Sequence, residues 1–84
     1  MECKIVTPYF SKTVNVKEIS IDSTNGVLLI YPQHTDMISS IKKDSLLNIK
    51  STEGSLKYKC NQGVIKIQSN KALILIDTDE KDNM

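Results

Sequence analysis

Apolar residues recur at every second position along this chain in short bursts, and turn-forming clusters cut the bursts apart. Cys3 and Ile5 share one phase and stop before Pro8; Val14 and Val16 share another; Leu56, Tyr58 and Cys60 share a third, with lysines between them. A period of two sends alternate side chains to opposite faces of a strand, so each burst reads as a strand with one buried face. Turn signals follow at Ser23-Thr24-Asn25-Gly26, Thr52-Glu53-Gly54, Asn61-Gln62-Gly63 and Ser69-Asn70. Short strands joined by tight turns predict an antiparallel sandwich or barrel. Composition agrees: eleven isoleucines, seven leucines and five valines stand against one alanine, Ala72. β-branched side chains suit a pleated surface, and the best helix former is nearly missing. With 84 residues the chain makes one domain, which has room for a two-layer core but not for a large internal cavity.

Two places break the regular pattern. Val14 and Val16 are in phase, as are Ile19 and Ile21, but the phase slips by one at Lys17-Glu18. An extra residue there implies either a β-bulge or a strand that changes partners. The second place is the stretch from Gly26 to Ile41, where Val27 to Tyr31 run straight into Pro32 and the only histidine, His34, follows two residues later. Proline cannot donate to a ladder, so the strand must end there in a bend that displays Gln33 and His34. Thr35 to Ile41 fits one helical turn or a short strand. Leu46 to Lys50 reads as a strand. Ala72 to Ile76 is apolar on both faces, which places it inside a sheet. The expected domain spans residues 1–77, with 78–84 as an acidic, flexible tail.

Several function classes lack their residues. All eleven cationic side chains are lysine, the formal charge is +1, and the lysines are scattered, which argues against nucleic-acid binding. Cys3, Cys60 and His34 have no metal-site spacing. One disulfide is conceivable between the two cysteines, but two reduced, half-buried thiols in a reducing compartment are the favoured reading. Asp36, Ser39 and Ser40 lie near His34 in sequence, yet no nucleophile motif surrounds them. Gly26, Gly54 and Gly63 each sit in a turn and form no phosphate cradle. No apolar h-region follows the N-terminal Met1-Glu2-Cys3-Lys4, and no apolar run reaches the ~20 residues that span a bilayer. These absences describe a soluble or membrane-peripheral binding or structural part.

The order of elements resembles a known family. Lys4-Ile5-Val6-Thr7-Pro8, then Gly26 to His34 with Tyr31-Pro32-Gln33-His34, then Gly63 to Lys71, are similar to the N-terminal domain of the F-type ATP synthase epsilon subunit. There the pattern runs I-V-T-P, then E-G-E-L-G-[IV]-[LY]-P-G-H-A-P, then G-G-x-x-E-V-x-x-N. The resemblance covers Lys4 to about Asp77. It implies a flattened β-sandwich of about ten short strands with no substantial helix. It also implies a non-catalytic central-stalk subunit that binds the gamma subunit and the c-subunit ring and supports coupling of proton transport to ATP synthesis. The resemblance implies no cofactor and places the subunit peripherally on the cytoplasmic face of a bacterial inner membrane. By position, the ring-facing loop falls on Gly26, Val27 and Leu28 with Pro32 and Gln33, and the gamma-facing positions on His34 and Ser39. The alternative is an unrelated small all-β protein- or ligand-binding domain.

Departures from the family pattern concentrate in the same stretch. Val27 stands where the family has an acid facing the ring, Leu29 where it has the second glycine, Gln33 where it has the glycine of P-G-H, and Thr35-Asp36 where it has A-P. Contact with the ring is therefore expected to be more apolar than charged. Family members usually continue into a helical hairpin that can inhibit ATP hydrolysis. The sequence given stops before one, so neither a hairpin nor a nucleotide site is expected within it.

Overall fold

The computed structural model describes residues 1–23 and 26–78. Eight strands follow one another: β1 (Glu2–Val6), β2 (Ser11–Ser23), β3 (Gly26–Ile30), β4 (Met37–Ile41), β5 (Ser45–Ser51), β6 (Gly54–Cys60), β7 (Gln62–Gln68) and β8 (Lys71–Asp77). One layer runs β4-β7-β8-β1 and ends on the first half of β2; the other is built from β3, the second half of β2, β5 and β6. The Cα envelope is 30 × 28 × 18 Å, its short dimension fitting two twisted sheets stacked about 10 Å apart.

The phase slip at Lys17-Glu18 is both of the things it could have been. Residues 11–15 of β2 pair with β1, whereas Val16 onward pairs with β5 and residues 19–23 with β3. Val16 faces Ser51 and Glu18 faces Lys50, which leaves Lys17 bulged out. The bulge restores the inward phase: Val16, Ile19 and Ile21 are all buried while Lys17 is exposed. A strand that leaves one sheet and enters the next through a bulge is a known way to turn the corner of a sandwich.

Two expectations need correction. The strand count is eight among the described residues, not about ten. The reason is that β2 stays one 13-residue strand through its bulge, and residues 31–36 between β3 and β4 form no strand. Nor is the pairing wholly antiparallel. β1 and β8 run parallel, with Cys3 opposite Ala72 and Ile5 opposite Ile74. Strands from the two ends of the domain are joined by no turn, so nothing local dictates an antiparallel pair. Between Thr35 and Ile41 the strand alternative holds: Met37–Ile41 lies along β7 and buries Ile41.

Local devices fix the connections. Thr7 Oγ1 accepts the N–H groups of Tyr9 and Phe10, both at 3.1 Å, so a single hydroxyl organises the corner after β1. Ser69 and Asn70 both have positive φ, 52° and 58°, as a two-residue hairpin of matching twist requires. Thr78, expected in the tail, is buried and donates to the Lys59 carbonyl at 2.7 Å. The remainder of that tail, and Thr24 and Asn25 of the expected turn, lie outside the described residues.

Ile5, Ile19, Leu47, Ile49, Ile65 and Ile74 are fully buried between the layers. Tyr58 joins them, its ring 5.8 Å from that of Phe10. Cys3 and Cys60 are both buried free thiols. Burial pushes the Cys3 thiol up from 9.0 to about 12, and the N-terminal ammonium offsets only part of that rise. The unfolded thiol ionises near 9 while the folded one holds its proton. The resulting stability is therefore complete below pH 9 and is lost as pH rises toward 12. Urea-unfolding midpoints should fall across that window, and Cys3→Ala should flatten the slope while lowering stability throughout. Gly63 gives a second test. A Cβ there would collide with the Leu75 carbonyl oxygen and stand 2.9 Å from Ile76 Cγ2. Gly63→Ala should therefore cost about 1–3 kcal/mol in the same measurement.

Candidate functional site

β3 forms an edge of its sheet, with β2 its one paired neighbour among the described strands. Alternation turns Leu28 and Ile30 inward and leaves Val27 and Leu29 exposed, and Tyr31 continues that exposed line. Next to it on the outer face, Glu18 accepts from the Tyr31 hydroxyl and lies 3.3 Å from Lys50 Nζ. This hydrogen bond, reinforced by the Glu18 charge, raises the Tyr31 pKa. Pro32 then ends the strand, and the turn puts Gln33 at φ 66°, a left-handed conformation that glycine adopts without strain. The conformation accounts for the glycine the family pattern has at this position. Here the bend is held from outside: the Gln33 N–H donates to Asn70 Oδ1 at 2.6 Å, and the Ser69 N–H donates to Asp36 Oδ1 at 3.1 Å.

The surroundings of His34 are local. Its Nδ1 lies 2.7 Å from the Thr35 carbonyl oxygen, to which it can only donate. Asp36, the one nearby carboxylate in sequence, is occupied with the Ser69 amide. Among the described residues, the one hydrogen-bond contact of the His34 ring is the Thr35 carbonyl, with neither a nucleophile nor an orienting carboxylate. Among the described residues, no group of three His, Cys, Asp or Glu side chains could hold a metal ion.

The expected contact residues fall into two groups, and not along the expected line. Gly26, Val27 and Leu28 share a cleft of about 270 Å³ with Ser39, Ser40 and Lys42, between the edges formed by β3 and β4. Ser45 lines the same cleft; its side chain is fully buried and its hydroxyl has no hydrogen-bond partner. Pro32, Gln33 and His34 lie at the other end of β3, roughly 15 Å away at the rise of an extended strand, tied to the β7–β8 turn. Ser39 therefore sits with the Gly26 group, and Pro32 and Gln33 with His34.

Sequence reasoning missed a third surface. On the outer face of the β4-β7-β8-β1 layer, Ser40, Val64, Leu75 and Val6 form one cross-strand row, and Ile38, Lys66, Leu73 and Lys4 form the next. Ile38, Val64 and Leu75 are 72, 39 and 45% exposed, and Val6 and Leu73 are half-buried beside them. An apolar band across four neighbouring strands is more than the scattered apolar residues of an ordinary surface. Its signal was visible in Ala72 to Ile76. A strand apolar on both faces reads as an interior strand, and β8 is interior to its sheet, but its second face opens outward.

Loosening the bend gives a local test. Asn70→Ala should cost about 1 kcal/mol in urea unfolding through the lost Gln33 bond and the strained φ. Gln33→Gly should leave stability unchanged or raise it by up to about 1 kcal/mol.

Comparison with known proteins places this geometry. No curated protein sequence matches the chain. A chain in the central stalk and c-ring structure of the Tetrahymena thermophila mitochondrial ATP synthase superposes with a TM-score of 0.78 at 16% identity, over 100% of this chain and 76% of that one. A chain from the Euglena gracilis mitochondrial ATP synthase structure containing OSCP, F1 and the c-ring superposes with a TM-score of 0.66 at 14% identity, over 93% of this chain and 49% of that one. At such identities the likeness is one of fold. The sequence model for the β-sandwich domain of the ATP synthase delta/epsilon chain matches residues 1–82, and the chain belongs to that family.

Proposed function

We propose that this chain is a non-catalytic rotor part of an F-type ATP synthase that joins the gamma subunit to the c ring and supports coupling of proton transport to ATP synthesis. Membership of the delta/epsilon family supports the stalk role. The single structural observation that carries the reading is the open apolar band of Val6, Val64, Leu73, Leu75 and Ile38. Covering such side chains contributes roughly 25 cal/mol per Å², and a rotor subunit needs one contact of that kind to hold against torque. The band is the proposed gamma-binding face, with His34 on the bend tied to its bordering β7–β8 turn. The exposed Val27, with Gly26, Leu28 and the Ser39 cleft, is the proposed ring contact, apolar where the family pattern carries an acid. In this reading the protein is peripheral to the membrane, held there by the complex; in a bacterium that is the cytoplasmic face of the inner membrane.

A tagged chain recovered from the native membrane fraction should bring down gamma, identified by mass spectrometry. Recovery without any ATP synthase subunit would defeat the proposal. Leu75→Asp and Val64→Asp, both on exposed outer positions, should keep the circular dichroism spectrum and abolish that recovery. His34→Ala should fold normally and weaken it only a few-fold, as rim contacts do.

A further inference from the structure

The apolar band is bordered by lysines, two of which have no charge partner among the described residues. Leu73 sits between Lys4 and Lys66 in one cross-strand row, with Lys4 its partner on β1 and Lys66 its partner on β7. The two lysines are therefore two strand spacings apart, roughly 9–10 Å between their backbones, on the same face. Lys71 begins β8 one row away and has Glu2 at 3.7 Å, as Lys50 on the opposite layer has Glu18 at 3.3 Å. Among the described residues neither Lys4 nor Lys66 has an ion-pair partner. Together with Lys71, Thr13 and Gln68 they ring a hollow of about 470 Å³ whose apolar floor is Leu73.

Two unpaired ammonium groups flanking an apolar floor repel one another in the free domain. A carboxylate lying over Leu73 would be within reach of both, because each lysine carries its charge on a flexible four-carbon stem. Resting on the proposal that gamma covers this face, we infer that gamma presents an amphipathic element here: apolar side chains cover the Val64–Leu75–Val6 row, and one or more Asp or Glu carboxylates enter the hollow between Lys4 and Lys66. Charge complementarity selects this partner chemistry. The hollow's charged lining is three lysines and Glu2, and Glu2 already faces Lys71. The band supplies adhesion, and the lysine pair supplies register and steering.

The test is titration of purified gamma subunit from the same organism with the wild-type domain and with Lys4→Gln/Lys66→Gln and Lys4→Glu/Lys66→Glu. Each variant is checked for native circular dichroism, and the neutral pair serves if the acidic pair does not fold. Wild-type affinity should fall as NaCl rises. The neutral pair should weaken binding about tenfold at low salt and lose most of the salt dependence, and the acidic pair should weaken it further. Gamma binding that is equally tight and equally salt-dependent in the neutral pair would overturn the inference while leaving the gamma contact standing. Wild-type domain that does not bind gamma at all would remove both. Capture of the domain by vesicles containing phosphatidylglycerol, lost in the neutral pair while gamma binding is unchanged, would assign the lysines to a membrane surface and overturn it as well.

Discussion

Lys17 has no partner across the sheet: Val16 pairs with Ser51 and Glu18 with Lys50, and the residue between them bulges into solvent. The rest of the molecule depends on that one unpaired position. Before it, β2 lies against β1; after it, β2 runs between β3 and β5. Without the bulge, the same residues in strict alternation would turn Glu18 and Ser20 into the core and Ile19 and Ile21 out of it, since a one-residue slip inverts every side chain that follows. The bulge thus keeps a single 13-residue strand in two sheets with its apolar side inward in both. A domain this small gains two layers from few strands by sharing one between them.

A thin sandwich has a consequence for function. Each strand has one face for the core and one for water, so an apolar residue on the outward phase adds less to folding than one in the core. β8 nevertheless carries Leu73 and Leu75 outward, β7 carries Val64 and β4 carries Ile38. Their natural explanation is a surface that is covered in the assembled state. The family membership and the open face point the same way for independent reasons, one from sequence pattern and one from wetted apolar area. The cleft between the edges of β3 and β4 is of another kind, rich in hydroxyls, with Ser45 buried and unbonded.

How much of this was legible from the residues alone depended on the range of the interaction involved. The period of two, the turns at Thr52-Glu53 and Ser69-Asn70 and the slip at Lys17 are local, and each appears in the structure where the residues put it. Of the Asn61-Gln62-Gly63 cluster, by contrast, Gln62 and Gly63 belong to β7, because β6 and β7 lie in different layers and do not pair. The bend at Pro32 was equally plain, because a proline that ends an apolar strand leaves few options. The parallel pairing of β1 with β8 was not legible, since it joins the two ends of the domain and no local pattern encodes it. Nor was the regrouping of the contact residues. Ser39 and Gly26 are thirteen positions apart yet line one cleft, while Gln33, closer to Gly26 in sequence, is held at the far end of β3 by Asn70. The outward apolar band is only half legible: the two-sided character of Ala72 to Ile76 marks an interior strand equally well. Which positions line up with Leu75 becomes known only once the register with Val6 and Val64 is known.

The central claim is that the outer face of the β4-β7-β8-β1 layer is the one that gamma covers. Site-specific photocrosslinking in intact cells addresses it directly, with a benzophenone side chain placed at position 75 on that face and, separately, at position 57 on the outer face of β6. The account predicts an adduct between position 75 and gamma, with little or none from position 57. Adducts with gamma from position 57 and not from position 75, or adducts with no ATP synthase subunit from either, would contradict it.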